Sequence, residues 1–141
     1  MTSHTTTVTM SLSTVPSPAE QERLIASSKF LLCCACLGEF GPVRWAHAHW
    51  KDTVKYVKRQ GYVWNATAGA WQKQNDAALQ LRFVEELRKC LITAIGTRGR
   101  LEGGDFWMEH EKLTRMLGLL KGITRVDRIW RKVKEVLVRE E

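Results

Sequence analysis

The segment from Ile123 to Leu137 has the clearest periodic pattern in the chain. Its apolar residues recur at helical spacing: Ile123, Val126, Ile129, Trp130, Val133, Val136 and Leu137. Cations occupy most of the other positions: Arg125, Arg128, Arg131, Lys132 and Lys134, followed by Arg139. One apolar stripe beside polar positions is typical of an amphipathic helix. The chain is therefore predicted to end in a helix that packs through this stripe.

A first helix is predicted from its start and stop signals. Ser17-Pro18-Ala19-Glu20 is a capping box with proline at the first helical position, and such a motif begins a helix. The helix is expected to reach Leu37 and to stop at Gly38. Its inward residues are predicted to include Leu24, Leu31 and Leu32.

A second helix is predicted after Gly41-Pro42, with Gly61 as its end. The apolar stripe behind this prediction consists of Trp45, Ala46, His49, Trp50, Thr53, Val54 and Val57. The pattern then changes. Tyr62-Val63-Trp64 and Ala70-Trp71 flank a turn-rich segment, and this arrangement predicts a small β-hairpin.

Two more helices are predicted between the hairpin and the last helix. Asn75 or Asp76 is expected to cap the third, and Gly96 to close it. Its buried residues are predicted at four-residue steps: Leu79, Phe83, Leu87, Leu91 and Ile95. Residues 96–104 are predicted to be a flexible, basic connector, after which Asp105 caps the fourth helix. That helix carries Phe106, Leu113, Met116, Leu117 and Leu120.

Length and composition indicate one globular domain. The chain has 141 residues, of which 44% are hydrophobic and 26% charged. Residues 1–16 are rich in serine and threonine and carry no charge, so they are predicted to be a flexible arm. Residues 17–141 are predicted to be a single domain of mainly α (α+β) class, with about five helices and one small β-hairpin.

The charge is unevenly distributed. The net charge is +7, and residues 1–40 contain only two bases and three acids. Residues 41–141 therefore carry +8, from 20 bases and 12 acids. A basic excess of this size is expected to attract polyanions or acidic partners.

Cysteine usage and hydropathy indicate the setting. Cys33, Cys34 and Cys36 lie too close along one predicted helix to pair with each other, which argues against a secreted disulfide scaffold. The apolar stretch after Lys29 is about eight residues long, short of the roughly 20 that span a bilayer. We expect a soluble, reducing, intracellular environment and no membrane partner.

No enzyme signature is present in the sequence. A phosphate loop, a nucleophile elbow and a His-Glu-x-x-His zinc helix are all missing. No catalytic residue and no cofactor are therefore predicted. Cys33, Cys36, His47 and His49 can in principle supply zinc ligands, but the histidines are two apart on a predicted helix and diverge. Buried cysteines and one core histidine are the preferred interpretation, and no metal site is predicted.

Aromatic and basic residues together indicate contact with nucleic acid. Trp45, Trp50 and Trp130 lie on apolar stripes and are expected in the core, whereas Trp64 and Trp71 of the hairpin are expected to be exposed and to offer ring faces to bases. The neighbouring cations are expected to contact phosphates. The predicted nucleic-acid-binding residues are Lys55, Lys58, Arg59, Trp64, Trp71, Arg98, Arg100, Arg128, Arg131 and Lys132.

The order of landmarks from Trp45 to Leu137 resembles the helical domain that precedes the motor in the viral and phage helicase–primase family, which has a superfamily-three nucleoside triphosphatase motor. The residues that carry the resemblance are Tyr56-Val57, Tyr62-Val63-Trp64-Asn65, Gly69-Ala70-Trp71, Asn75-Asp76, Leu79 to Ile95, Leu113 to Leu120 and Ile123 to Leu137. The family's phosphate loop and its primase acids are missing from this chain. The resemblance therefore implies a part of a replication machine and assigns no ATPase activity to any residue here.

The sequence thus predicts a non-enzymatic module of viral or mobile-element DNA replication. Its expected partners are nucleic acid, with DNA favoured, and a helicase or primase subunit or a second copy of the chain. Two alternatives stay open. One is a protein-interaction or structural helical module whose charge serves solubility, and the other is a small zinc-stabilised viral accessory protein.

Overall fold

The computed structural model describes residues 16–101 and 105–140. Across these ranges there are five helices and a three-stranded antiparallel sheet, which confirms the mainly α (α+β) class. The helices are α1 Pro18–Ala35, α2 Phe40–Trp50, α3 Asp76–Gly99, α4 Phe106–Gly118 and α5 Ile123–Leu137. The strands are β1 Val54–Val57, β2 Gln60–Asn65 and β3 Ala70–Gln74. The predicted arm lies outside the described residues except for Pro16, and so do residues 102–104 of the predicted connector.

Two of the predicted helix caps are confirmed, whereas the Asp105 side chain makes no capping hydrogen bond at the start of α4, contrary to the prediction. The Ser17 hydroxyl accepts a hydrogen bond from the Glu20 amide at 3.2 Å, with Pro18 following the cap. The Asn75 side chain does the same for the amide of Ala78 at 3.1 Å and so caps α3. Each side chain satisfies one of the amide donors that a helix leaves unpaired at its first turn.

Four aromatic rings form the centre of the core. Trp45, Trp50 and Trp130 are buried as predicted, and the three rings surround Phe83 with centroid distances of 6.1, 6.1 and 5.6 Å. These rings come from α2, α3 and α5, so the core joins the three helices. Aromatic pairs at such distances and tilts contribute beyond their buried area.

The second predicted helix is wrong in its last part. The helix ends at Trp50, and residues 54–57 form β1, paired with β2. Val54 and Tyr56 point into the core on alternate positions, which is the period of a strand. A short apolar run satisfies both the helical and the strand period, and here pairing with β2 decides between them.

Lys58 and Arg59 form the two-residue turn between β1 and β2. Both have positive φ angles, 50° and 69°, the backbone conformation of the tight hairpin turn that favours Asn-Gly. Neither residue type predicts such a turn. Gly61 follows inside β2, where a Cβ would lie 2.6 Å from Leu79 Cδ1 of α3, so this glycine permits close packing instead of ending a helix.

Helix α3 continues past its predicted end. It runs through Gly96 to Gly99, and the Thr97 hydroxyl donates to the Thr93 carbonyl at 2.9 Å. A glycine inside a helix costs roughly 1 kcal/mol relative to alanine, which the contacts of the last turn outweigh. Arg98 therefore lies in a helix, and the predicted connector is shorter than expected.

The stripe of α5 is only partly buried. Ile129, Trp130, Val133 and Leu137 are in the core, whereas Ile123 and Val136 are exposed. Beyond the helix, Val138 forms a parallel bridge with Tyr56, and the Arg139 amide donates to the Tyr56 carbonyl at 2.9 Å. The chain thereby returns to the free edge of β1.

Candidate nucleic-acid interface

The outer face of the sheet carries rings and cations in adjacent rows. Lys55, Tyr62 and Lys73 are cross-strand partners and form one row, and Trp64 and Trp71 form the next. Partners across strands share a face, as do residues two apart along one strand. The opposite face, with Val54, Tyr56, Gly61 and Val63, packs on the helices.

The two hairpin tryptophans are in contact. Their ring centroids lie 5.5 Å apart at an interplanar angle of 65°, an edge-to-face pair. The Trp64 residue is 38% exposed, while Trp71 is half-buried. The structure therefore places both predicted residues together on one surface, with Trp64 the more accessible.

Lys55 has a different environment from the one predicted. This residue is only 8% exposed, and its ammonium lies 4.4 Å from the Trp71 centroid and 5.9 Å from the Tyr62 centroid. A cation over ring faces is attracted by their electron density. Lys55 therefore lies beneath the aromatic surface, packed against its rings. The expectation that it is exposed and contacts a phosphate is corrected.

Arg139 completes this surface, and sequence reasoning did not assign it there. Its guanidinium carbon lies 5.3 Å from the Trp71 centroid, and its Nη2 donates to the Lys51 carbonyl. Lys73 was also missed, although its alternation with Trp71 along β3 places the two on the same face. For Arg139 no local signal exists, because the return of the chain to β1 is a tertiary contact.

Lys58 and Arg59 lie in the turn at the other end of β2 from Trp64. Both are exposed. Along β2 the turn is followed by the Tyr62–Lys73 row and then by the tryptophan row. The exposed turn cations therefore lie at the end of β2 opposite to the tryptophans.

The basic residues of α5 form a separate group. Arg128 makes a bidentate ion pair with Glu39, with distances of 2.9 and 2.5 Å, and the Lys132 ammonium lies 4.7 Å from the Phe40 ring centroid. The hydrogen bond from Arg128 lowers the pKa of Glu39. Arg131 is exposed. Glu39 and Phe40 begin α2, whose 11 residues span ~16 Å, so this group lies at the end of α2 away from the sheet.

Arg98 is engaged in a structural ion pair. Its Nη2 and Nε donate to Glu109 at 2.7 and 3.1 Å, and its side chain is 11% exposed. The hydrogen bond from Arg98 lowers the pKa of Glu109. This pair joins α3 to α4, so the expectation of a loop arginine that touches phosphates is corrected. Arg100 caps the end of α3 and is exposed.

The cysteines and histidines considered as metal ligands do not form one cluster in the described part of the chain. Cys33 and Cys36 are exposed, contrary to the preferred interpretation, and only Cys34 of this cluster is buried. Burial raises the pKa of the Cys34 thiol to about 11. His47 and His49 are also exposed, and His49 stacks on Trp45. Within residues 16–101 and 105–140, no three His, Cys, Asp or Glu side chains come together in a way that suits a metal ion.

The described part of the chain has no helix with the length and hydropathy needed to cross a bilayer. The fold and the surface thus define a small mainly α domain whose sheet displays rings and cations on its outer face. Comparison with protein-family models, curated proteins and solved structures finds no match. The function is therefore inferred from the chemistry of this surface.

Proposed function

We propose that this chain is a non-enzymatic module that binds nucleic acid through the outer face of its sheet. The observation that carries the proposal is the Trp64–Trp71 pair, with Trp64 exposed, on the same sheet face as Lys73 and on the strand that begins at the Lys58-Arg59 turn. Single strands and loops are recognised by aromatic rings on which bases stack and by cations that bind the neighbouring phosphates. The net charge of +8 beyond residue 40 adds a long-range attraction to the same ligand.

The Lys58-Arg59 turn gives independent support. Both residues have left-handed backbone conformations, which cost residues other than glycine roughly 1–2 kcal/mol each. Asn-Gly would form this turn at lower cost. A functional need for positive charge at this turn would explain why two cations occupy strained backbone positions. Contact with phosphates is such a need.

The place of the module in DNA replication rests on the resemblance to the domain that precedes a superfamily-three helicase. Under this proposal the chain holds DNA for a helicase or docks beside a helicase subunit. Inspection of the neighbouring reading frames for a Gly-x-x-x-x-Gly-Lys-Ser/Thr phosphate loop tests it. A phosphate loop in an adjacent frame supports the replication role, and adjacent frames of unrelated function argue against it.

The assignment as a non-enzyme is tested separately. The purified chain is expected to release no phosphate from ATP, with or without DNA, because no phosphate loop is present in its sequence. Turnover that follows the protein through purification and disappears in a point variant would overturn this part of the proposal.

Binding is tested by fluorescence anisotropy with a labelled oligonucleotide between about 50 and 200 mM salt. The affinity is expected to fall steeply with salt, and Lys58→Ser/Arg59→Ser to make the log–log slope shallower by about 1 to 1.5, since each phosphate contact on a single strand contributes about 0.7. Arg23→Ser/Lys29→Ser on α1 removes the same charge from two exposed positions and serves as the control. Absence of binding at micromolar protein, or equal losses in both double variants, contradicts the proposal.

A protein-interaction role is the second candidate, and one observation favours it. An apolar groove of about 380 Å³ lies between α3 and the start of α5, and its rim includes Leu81 and Ile123, which are 59% and 82% exposed. Exposed apolar patches of this kind mark interaction sites. Size-exclusion chromatography with light scattering distinguishes the two: an oligomer that Ile123→Ser dissociates and that ignores nucleic acid supports this candidate.

A further inference from the structure

We infer that the ligand of the outer sheet face is single-stranded, with one base stacked on the exposed Trp64. This inference rests on the proposed function, which it deepens: nucleic-acid binding as such leaves open whether the strand is paired. The accessibility of the Trp64 ring and the geometry of a base stack favour an unpaired strand.

The base stack of a duplex offers no free face to a protein ring. Successive bases in a duplex strand rise by about 3.4 Å, so each internal base is covered by a neighbouring base on both faces. A base that stacks on Trp64 must therefore leave that stack, which an unpaired strand permits and an intact duplex does not.

The two tryptophans differ in whether a ring face is available. Trp71 is half-buried and has both the Lys55 ammonium and the Arg139 guanidinium over its ring, at 4.4 and 5.3 Å. Trp64 makes its ring contact edge-to-face with Trp71 and is 38% exposed. The base is consequently assigned to Trp64, and Lys73 and the turn cations lie on the Tyr62 side of this ring, where the phosphates of the adjoining strand would contact them.

Competition between paired and unpaired strands tests the inference. A labelled oligothymidylate of roughly 12 nucleotides is displaced from the wild-type protein by unlabelled oligothymidylate or by a blunt duplex of the same length, at one salt concentration. The single strand is expected to compete at least about ten-fold better. Trp64→Ala is expected to weaken single-strand binding about ten-fold, since it removes the ring on which one base stacks.

Two variants separate stacking from folding. Trp64→Phe keeps a ring face and is expected to retain most of the affinity, and Trp107→Ala removes a 78% exposed indole from α4 and is expected to change nothing. Equal competition by duplex, or an unchanged affinity in Trp64→Ala, overturns the single-strand inference while leaving nucleic-acid binding in place. Failure of both competitors to bind overturns the proposed function itself.

Discussion

At the scale of single residues, Asp76 connects three parts of the fold. Its Oδ1 accepts hydrogen bonds from the Tyr56 hydroxyl at 2.6 Å and the Trp130 indole at 3.2 Å, and the Lys134 ammonium lies 3.4 Å away. Partial burial acts to raise the pKa of Asp76, but these donors outweigh it and hold the pKa below its usual value. Burial, followed by the contact with Asp76, raises the pKa of Tyr56. One carboxylate at the start of α3 thus joins β1 to α5.

Substitution of Asp76 tests this connection. Asp76→Ala leaves the buried donors of Tyr56 and Trp130 without an acceptor and is expected to lower the free energy of unfolding by about 1–3 kcal/mol. Asp76→Asn keeps an acceptor oxygen, so its free energy of unfolding should fall by clearly less than that of Asp76→Ala. Urea denaturation followed by circular dichroism measures both. Equal stability of the alanine and asparagine variants would show that the hydrogen bonds contribute little.

At the scale of elements, the contact between α1 and α2 depends on Gly41. A Cβ at this position would collide with the backbone carbonyl of Cys34, so the two helices approach as closely as a glycine allows. Backbone atoms cannot rotate away as a side chain does. The close approach of these helices is therefore specified at one residue.

Gly41→Ala is expected to destabilise the protein by about 1–3 kcal/mol, the usual cost of overpacking. Gly118, the last residue of α4, has open space around its Cβ position. Gly118→Ala is therefore the matched control and should be neutral or stabilising by up to about 1 kcal/mol. Thermal unfolding of the two variants compares them directly. A tolerated Gly41→Ala would contradict the packing described here.

The β1–β2 turn links stability to binding at the same scale. Lys58→Asn/Arg59→Gly relieves two positive-φ conformations and is expected to raise the free energy of unfolding by about 1 kcal/mol. The same double variant removes two cations from the proposed interface and should weaken binding to DNA. Measuring the melting temperature and the DNA-binding anisotropy on one preparation tests whether stability rises while affinity falls. Higher stability with undiminished affinity would remove this turn from the interface.

At the scale of the whole molecule, several acids make folding dependent on pH. The pKa values of Asp76, Glu109 and Glu39 are lowered in the folded state by hydrogen bonds from Tyr56, Arg98 and Arg128. Unfolded aspartate and glutamate titrate near pH 4. The unfolded chain therefore binds more protons as the pH falls below this value, and the stabilisation present at neutral pH is lost progressively in acid.

Urea midpoints measured between about pH 6 and pH 2.5 are expected to fall on the acid side of pH 4. The double variant Asp76→Asn/Glu109→Gln should start from a lower midpoint and show a shallower fall, because two of the responsible carboxyls are gone. A double variant that retains the full slope would assign the acid sensitivity to other groups.

Much of the helical fold could be predicted because its signals are local. The caps at Ser17 and Asn75 and the stripe of α5 depend on residues within a few positions of each other. Residues 54–57 could not be predicted in this way, since their strand form depends on pairing with β2. The same holds for the candidate site. The hairpin pattern predicts the tryptophan pair, whereas the burial of Lys55 against the rings could not be predicted from it.

The amino-acid sequence by itself determined the mainly helical class, the helix starts and the presence of rings beside cations, because these depend on neighbours along the chain. Only the tertiary structure decided which cations contact a partner within the fold. Arg98 finds Glu109, Arg128 finds Glu39 across 89 positions, and Arg139 reaches Trp71 from the end of the chain. A cation interacts most strongly with groups that folding brings within a few ångströms of it. These distances depend on residues far apart in the sequence, so they cannot be predicted from a local pattern.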